Sequence, residues 1–510
     1  MSRALFGLSA PRVIVESHLV GGLPGTTLVG MPAASVREAR DRVRSALTNC
    51  GYDYPDGRVV VNLAPVDLAK EGARFDLAIA VSILRASGQL NEPPRDSEVE
   101  LIGELSLAGE LRGVRGSLCA ALNLEGEDRL VVPRENAGEA LLAGRKVTSL
   151  GHLKEVIRFL EGEDEAHFST VPAPSNRTAT NTQPPTVVGQ ATAKRALAIA
   201  ATGGHHLLMV GPPGTGKSLL ARHLPHLLPP MTEREAMEVA AVRSAASQSA
   251  SAASQSASAA GQNEAGHHTR PVRSPHHSVS ATAMTGGGSH PKPGEISLAH
   301  NGVLFLDELP HFKPSVLDSL REPLETQEIS ISRASGTARF PAGFQLLAAM
   351  NPCPAGLVCS EGRCRCRPDQ RQRYQSRISG PLLDRIDLHV PVNAVPSQLL
   401  LAGESDAWDP LAIRTQVGAA RERQIDRQGG TNAHLSGETL LELCALGAAE
   451  KRMLDKASDR YGLSARGLHR VLRVARSIAD LAGTDMVRQE QLAEALSFRA
   501  MDWSGGGGAG

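Results

Sequence analysis

Residues 206–224 read HLLMVGPPGTGKSLLARHL, and the reading of this stretch decides the fold. An apolar run ends at Val210, a loop of glycines and prolines follows, and a helix is expected from about Lys217. Gly211, Pro212, Pro213, Gly214, Thr215, Gly216, Lys217 and Ser218 fill the pattern GxxxxGK[ST] in the strand–loop–helix context that it requires. Glycines let backbone N–H groups approach phosphates with no Cβ in the way. Lys217 would then reach the β- and γ-phosphates, and Ser218 would ligate Mg²⁺. The expectation is an α/β domain with a parallel sheet, holding ATP and Mg²⁺.

Three further stretches extend this site. GVLFLDEL (302–309) puts four apolar residues in a buried strand and ends it in Asp307 and Glu308. Asp307 would hold Mg²⁺, directly or through water, and Glu308 would polarise the attacking water. FQLLAAMN (344–351) is a second buried strand, with Asn351 where a γ-phosphate sensor belongs. SGPLLDRIDLHVPV (379–392) carries Arg385 before another strand, where it could reach a neighbouring subunit's ATP. LSARGLHRVLR (463–473) places Arg466 at the start of a helix. For Arg385 and Arg466 a surface ion pair is the alternative reading.

Composition sets the outer bounds. The 510 residues suggest roughly three domains. Hydrophobic content of 41% and charged content of 21% are those of ordinary globular protein. Lys+Arg and Asp+Glu are equal at 54 each, so any DNA contact has to come from local basic patches. Aromatics at 3% leave few platforms for base stacking. No apolar run approaches a membrane span, and the N-terminus lacks the apolar core of a signal peptide. The expected location is the cytoplasm, without membrane association. There, seven cysteines are thiols, metal ligands or redox groups rather than structural disulfides.

The chain divides by composition. Residues 1–165 alternate β-rich runs with amphipathic helices: RVVVNLAP (58–65) and VELIGELSLAGEL (99–111, broken at its glycines) read as strands, and SVREARDRVRSALTNCG (35–51) as a helix. Residues 166–186 read as a Pro/Ser/Thr-rich linker, 187–396 as the nucleotide-binding core, 397–503 as helical, and 504–510 as a flexible tail. Within the core, residues 244–262 are a low-complexity insertion with no periodic apolar face.

Taken together these residues resemble an AAA+ ATPase. RPVRSPHHSVS (270–280), GGGSHPKPGEISLAHNGVLFLDELPHF (286–312) and ISRASGTARFPAGFQLLAAMNPCP (331–354) narrow the likeness to the Mg-chelatase-like branch. The resemblance covers nearly the whole chain. It implies a Lon-protease-like α+β N-terminal domain, an AAA+ α/β core with a parallel sheet, and a C-terminal helical lid. It also implies a homohexamer with ATP between subunits, Asn351 and Arg466 as sensors, and Arg385 as the finger. The function it implies is an ATP-driven DNA helicase that promotes branch migration in natural transformation. The alternative is a chelatase-type motor acting on a metal-insertion or protein-remodelling partner. LAKEGARFDLAIAVSIL (68–84) matches the region where Lon proteases carry their serine; here that position is Arg74, and the lysine position is Leu118. A serine–lysine dyad needs an oxygen nucleophile and an amine base. The N-terminal domain is therefore expected to be inactive as a protease and to serve assembly or a partner.

Two features lie beyond the nucleotide site. NPCPAGLVCSEGRCRCRP (351–368) gathers Cys353, Cys359, Cys364 and Cys366, enough for a closed tetrahedral Zn²⁺ site that would pin the loop after Asn351. Redox chemistry of the close Cys364–Cys366 pair and four unligated thiols are the alternatives. Arg363, Arg365, Arg367, Arg371 and Arg373 surround the cluster. ISISRASGTARFPAG (329–343) reads as a hairpin bearing Arg333 and Arg339, and RPVRSPHH offers Arg270, Arg273, His276 and His277. In a ring, such residues would repeat around the pore and contact DNA backbone without regard to sequence. Subunit contacts are the competing reading for these arginines, and a metal site the competing one for the two histidines.

Overall fold

The computed structural model describes residues 1–30, 33–91, 98–163, 186–246, 268–288, 291–333, 336–356, 364, 366–396, 398 and 408–499. The linker (but for residue 186), most of the low-complexity insertion, the tail and Cys359 lie outside them.

The N-terminal module is α+β. Arg12–Val20 and Arg58–Ala64 pair antiparallel, with Gly25–Val29 parallel on the far side. Val59, Val61 and Leu63 point inward at the two-residue period of a half-buried strand. The helix Asp76–Ala86 covers that face and is buried along nearly its whole length. A parallel three-stranded sheet of Val99–Leu101, Arg129–Pro133 and Val147–Leu150 completes the module. The expected strand over 99–111 is three short pieces, Val99–Leu101, Glu104–Leu105 and Leu111–Arg112, because the chain turns back at Gly109 (φ +95°) to pair the second with the third. Arg74 is buried, and Leu118 lies in the core on the helix Ser117–Leu122.

The central module is a five-stranded parallel sheet. Its spatial order is Val272–Arg273, Val303–Leu306, Gln345–Met350, Leu207–Val210, Leu388–Pro391. Every residue of Leu207–Val210 and Gln345–Met350 is buried, which is why these strands read as continuous apolar runs rather than alternating ones. The ends of the first, third and fourth strands in chain order therefore lie side by side at one edge of the sheet. Ligands of open parallel sheets bind at that edge.

The C-terminal module is helical. Pro410–Gln428 is capped by the Asp409 carboxylate, which accepts from Leu411 N–H at 2.9 Å, and Ala465–Ala482 is capped by Ser464. Ala465–Ala482 packs on Ala191–Gly203 in one shared apolar core. A buried polar bridge ties this module to the sheet: His205 lies 2.7 Å from Ser477 Oγ and 3.1 Å from Asp387.

The N-terminal module touches the central one at two places. Gly116 N–H donates to Ser244 C=O at 2.9 Å, and the Cys119 thiol to Ala241 C=O at 3.5 Å. Phe6 lies against Gly336 at the hairpin of Glu328–Arg333 and Gly336–Pro341; a Cβ on Gly336 would stand 3.1 Å from its ring.

Candidate active site

The loop 211–216 leaves the strand Leu207–Val210 and opens the helix Lys217–Ala221. Its glycines serve different ends. A Cβ on Gly211 would meet Val392 C=O at 2.0 Å, so only glycine lets the two strand ends pack. Gly214 (φ +77°) and Gly216 (φ +87°) take the left-handed backbone, and among the described residues nothing lies within 4 Å of a Cβ on either. That open side is where a phosphate has room to approach the loop's N–H groups.

Lys217 is almost fully buried, and its ammonium donates to the carbonyls of Gly211 (2.7 Å) and Pro212 (2.8 Å) and to Asn351 Oδ1 (3.1 Å). Burial pulls its pKa down, against the raising effect of Asp307 and Glu308. Ser218 Oγ donates to Asp307 Oδ2 at 2.7 Å. A hydroxyl and a carboxylate meeting beside a phosphate loop are the oxygen donors Mg²⁺ takes, and the residues present fit the ion. Glu308 sits in the left-handed region (φ +53°), uncommon for a residue with a Cβ, and its N–H donates to Asp307 Oδ1 at 2.9 Å. His311 and His277 both approach its carboxylate.

The structure thus brings Lys217, Ser218, Asp307, Glu308 and Asn351 together at one edge of the sheet. Arg385 is not among them. It precedes the strand Leu388–Pro391 and so lies at the opposite edge, paired with Glu325 and donating to Pro381 C=O at 2.7 Å. Arg466 is exposed on the C-terminal module.

Three neighbours of the site were not read from the sequence. Gln190 (φ +60°) donates to Thr215 C=O at 3.2 Å and Asn393 C=O at 2.6 Å, joining the segment before the core to the phosphate loop. Tyr374 hydrogen-bonds the Asn351 backbone, and burial pushes its phenol up to about 12. Gly356 lies against Pro213. None has a local signature; each is linked to its partner only by the fold.

Cys353, Cys364 and Cys366 hold their sulfurs within 4.8 Å of one another, and Cys353 Sγ is 3.5 Å from Cys364 Sγ. Three thiol donors converging on one point fit a zinc ion. The fourth expected ligand, Cys359, falls outside the described residues.

The basic residues divide. Ile329, Ile331, Ala338 and Phe340 bury one face of the hairpin; Arg339 is exposed on the other face, and Arg333, exposed at the hairpin's end, donates to Gly288 C=O at 3.2 Å. Arg270 is engaged inside the subunit. Its guanidinium makes a two-pronged pair with Glu235 at 3.0 Å and bonds Pro229 C=O and Asn301 C=O at 2.8 Å, so its donors are consumed inside the subunit. Arg273 is likewise paired with Glu295 at 2.7 and 2.8 Å. His276 and His277 lie with ring centroids 4.0 Å apart, His277 near Glu308; they are not part of the metal-ligand cluster found among the described residues.

Comparison with known proteins agrees with this geometry. Three family models match in tandem: subunit ChlI of Mg-chelatase over residues 15–136, magnesium chelatase subunit ChlI over 185–400, and its C-terminal part over 409–499. The chain is 47% identical to the competence protein ComM of Haemophilus influenzae, across 98% of this chain and 97% of that protein. It is 44% identical to YifB of Escherichia coli, across 98% and 96%. The magnesium-chelatase 38 kDa subunit of Acidiphilium rubrum is 27% identical across 60% of this chain and 86% of its own. With its glycine-rich loop, paired acids and strand-end Asn351 at one edge of a parallel sheet, the chain belongs to the magnesium-chelatase-like family of AAA+ ATPases, alongside ComM and YifB.

Proposed function

We propose that the chain is an ATP-hydrolysing motor that assembles as a hexamer and moves branched or single-stranded DNA, promoting branch migration during natural transformation. The observation that carries the ATPase part is the meeting of Lys217, Ser218, Asp307 and Asn351 beside a loop where, among the described residues, a Cβ on Gly214 or Gly216 would touch nothing within 4 Å. Loop N–H groups and Lys217 bind the phosphates. Ser218 and Asp307 would hold Mg²⁺, which would supply neutralisation of charge on the phosphates. Asn351 orients at the γ-phosphate, and Glu308 takes a proton from the attacking water.

Arg385 supports assembly. At the opposite sheet edge it is remote from its own subunit's phosphate loop, and a neighbour's site is the one it can complete. The pair with Glu325 would open as it does so. Arg466 is free to act as a second sensor from the lid. Zinc on the cysteine cluster would fix the loop beside Asn351.

The DNA part rests on the likeness to a competence protein and on exposed Arg333 and Arg339. A chelatase-type motor is the second reading, favoured by the family models that match the chain. The test is ATP-driven branch migration of a labelled four-way junction by purified protein with Mg²⁺, with Lys217→Ala as control. Strand exchange lost in the variant supports the helicase; ATP turnover indifferent to DNA, with no exchange, sinks it.

A further inference from the structure

Two imidazoles from separate parts of the chain converge on one oxygen of Glu308. His311, in the turn Leu309–His311, places Nδ1 3.2 Å from Oε2. His277, in the loop after the edge strand Val272–Arg273, places Nδ1 3.8 Å from the same oxygen. The two rings stand edge to face, 5.9 Å apart at 81°. An ionised carboxylate can only accept, so His311 Nδ1 carries the proton and donates it to the bond.

Tyr374 flanks His311 on a second side. Its ring meets Tyr374 edge to face at 6.3 Å, and Tyr374 is bonded to the Asn351 backbone. His311 N–H donates to Glu308 C=O at 2.8 Å, closing the turn that the left-handed backbone of Glu308 begins. Left-handed backbone at a residue with a Cβ costs about 1 kcal/mol or more, and it persists where the surroundings enforce it. Among the described residues no group bonds Oε1.

We propose that His311, seconded by His277, is the positioning residue that fixes Glu308 by Oε2 and leaves Oε1 to accept the proton of the attacking water. As the water oxygen bonds the γ-phosphorus, its proton passes to Oε1 and the electron pair of the broken P–O bond leaves with ADP. A glutamate without such an anchor spreads over several rotamers, and small misplacements of a reacting group cost rate without costing binding. This inference rests on the reading of Glu308 as the base.

The experiment is steady-state ATP hydrolysis by the full chain, alongside the affinity of a fluorescent ATP analogue. His311→Ala should lower kcat about tenfold, with the KM for ATP and the analogue affinity unchanged within about twofold. His311→Gln, whose amide N–H can still donate to Oε2, should recover most of the loss. His277→Ala should cost about threefold and gives an independent measure if His311→Ala does not fold. Glu308→Gln separates the two claims. If it retains turnover, the reading of Glu308 fails and takes the inference with it. If it abolishes turnover while the histidine variants keep wild-type kcat, or lose kcat and analogue affinity together, the inference alone is overturned.

Discussion

Gly356 lies so close to Pro213 that a Cβ on it would stand 2.8 Å from the proline Cδ and 3.8 Å from Asn351 Nδ2. The loop that carries the cysteine cluster therefore rests directly on the phosphate loop. Its backbone is left-handed there (φ +74°), so alanine at 356 is strained as well as crowded. Gly356→Ala should weaken nucleotide binding about tenfold, read with a fluorescent ATP analogue, while the melting of the N-terminal module stays unchanged. Wild-type affinity would mean that the two loops yield independently.

Removing metal should act through the same contact. Purified protein is expected to carry about one zinc per chain, measured by elemental analysis, and Cys353→Ser should lose most of it. Cys353 is fully buried, so the loop has no solvated alternative for that sulfur. Chelation should loosen residues around Cys353 and weaken the ATP analogue; protein purified under reducing conditions without metal would exclude the zinc site.

Arg74 is a buried guanidinium whose Nε and Nη2 have no hydrogen-bond partner among the described residues, and burial pulls its pKa down to about 10. A buried charge without a partner costs more than a hydrophobic side chain of like size. Arg74→Met should therefore raise stability, by about 1–3 kcal/mol, seen as a higher melting temperature. A large loss would show that Arg74 has an acceptor in the assembled protein.

Acid should affect the modules in opposite directions. Burial, with Arg499 nearby, holds the His389 imidazole down to about 3, whereas in the unfolded chain it protonates near 6.5. The unfolded state then binds more protons, so stability present above pH ~6.5 is lost as pH falls, by up to about 1.4 kcal/mol per unit. Asp76 in the N-terminal module is pushed up to about 6 by burial, despite its bonds to Arg42 at 2.8 and 3.2 Å. The folded state there protonates first, and stability rises as pH falls from about 6 toward about 4. Calorimetry between pH 7 and 5 should show the core melting earlier, and His389→Asn should flatten that slope.

The arginines should separate by role. Arg270→Ala breaks a largely buried pair and should cost about 2–3 kcal/mol of stability. Arg333→Ala and Arg339→Ala should leave stability within about 0.5 kcal/mol, while weakening DNA binding and lowering its salt dependence by about one unit of slope each. DNA affinity untouched in the double variant would remove the hairpin from the interface.

The sequence by itself determined the nucleotide-binding core. GPPGTGKS, LFLDE and the strand ending in Asn351 are local patterns, because a strand followed by a phosphate loop or by acids must expose those groups at its end. Residues 397–503 were legible as helical, and Pro410–Gln428 and Ala465–Ala482 are helices of that region. Only the tertiary structure decided which arginines are paired with a carboxylate. Arg270 and Arg333 look alike in the chain, but Glu235 lies 35 residues from Arg270 and meets it through folding alone. The same holds for His277 and Glu308, and for Gly356 and Pro213. Backbone patterns of a few residues fix what a strand or loop can do; the partners of a side chain come from distant segments, and no local spacing encodes them.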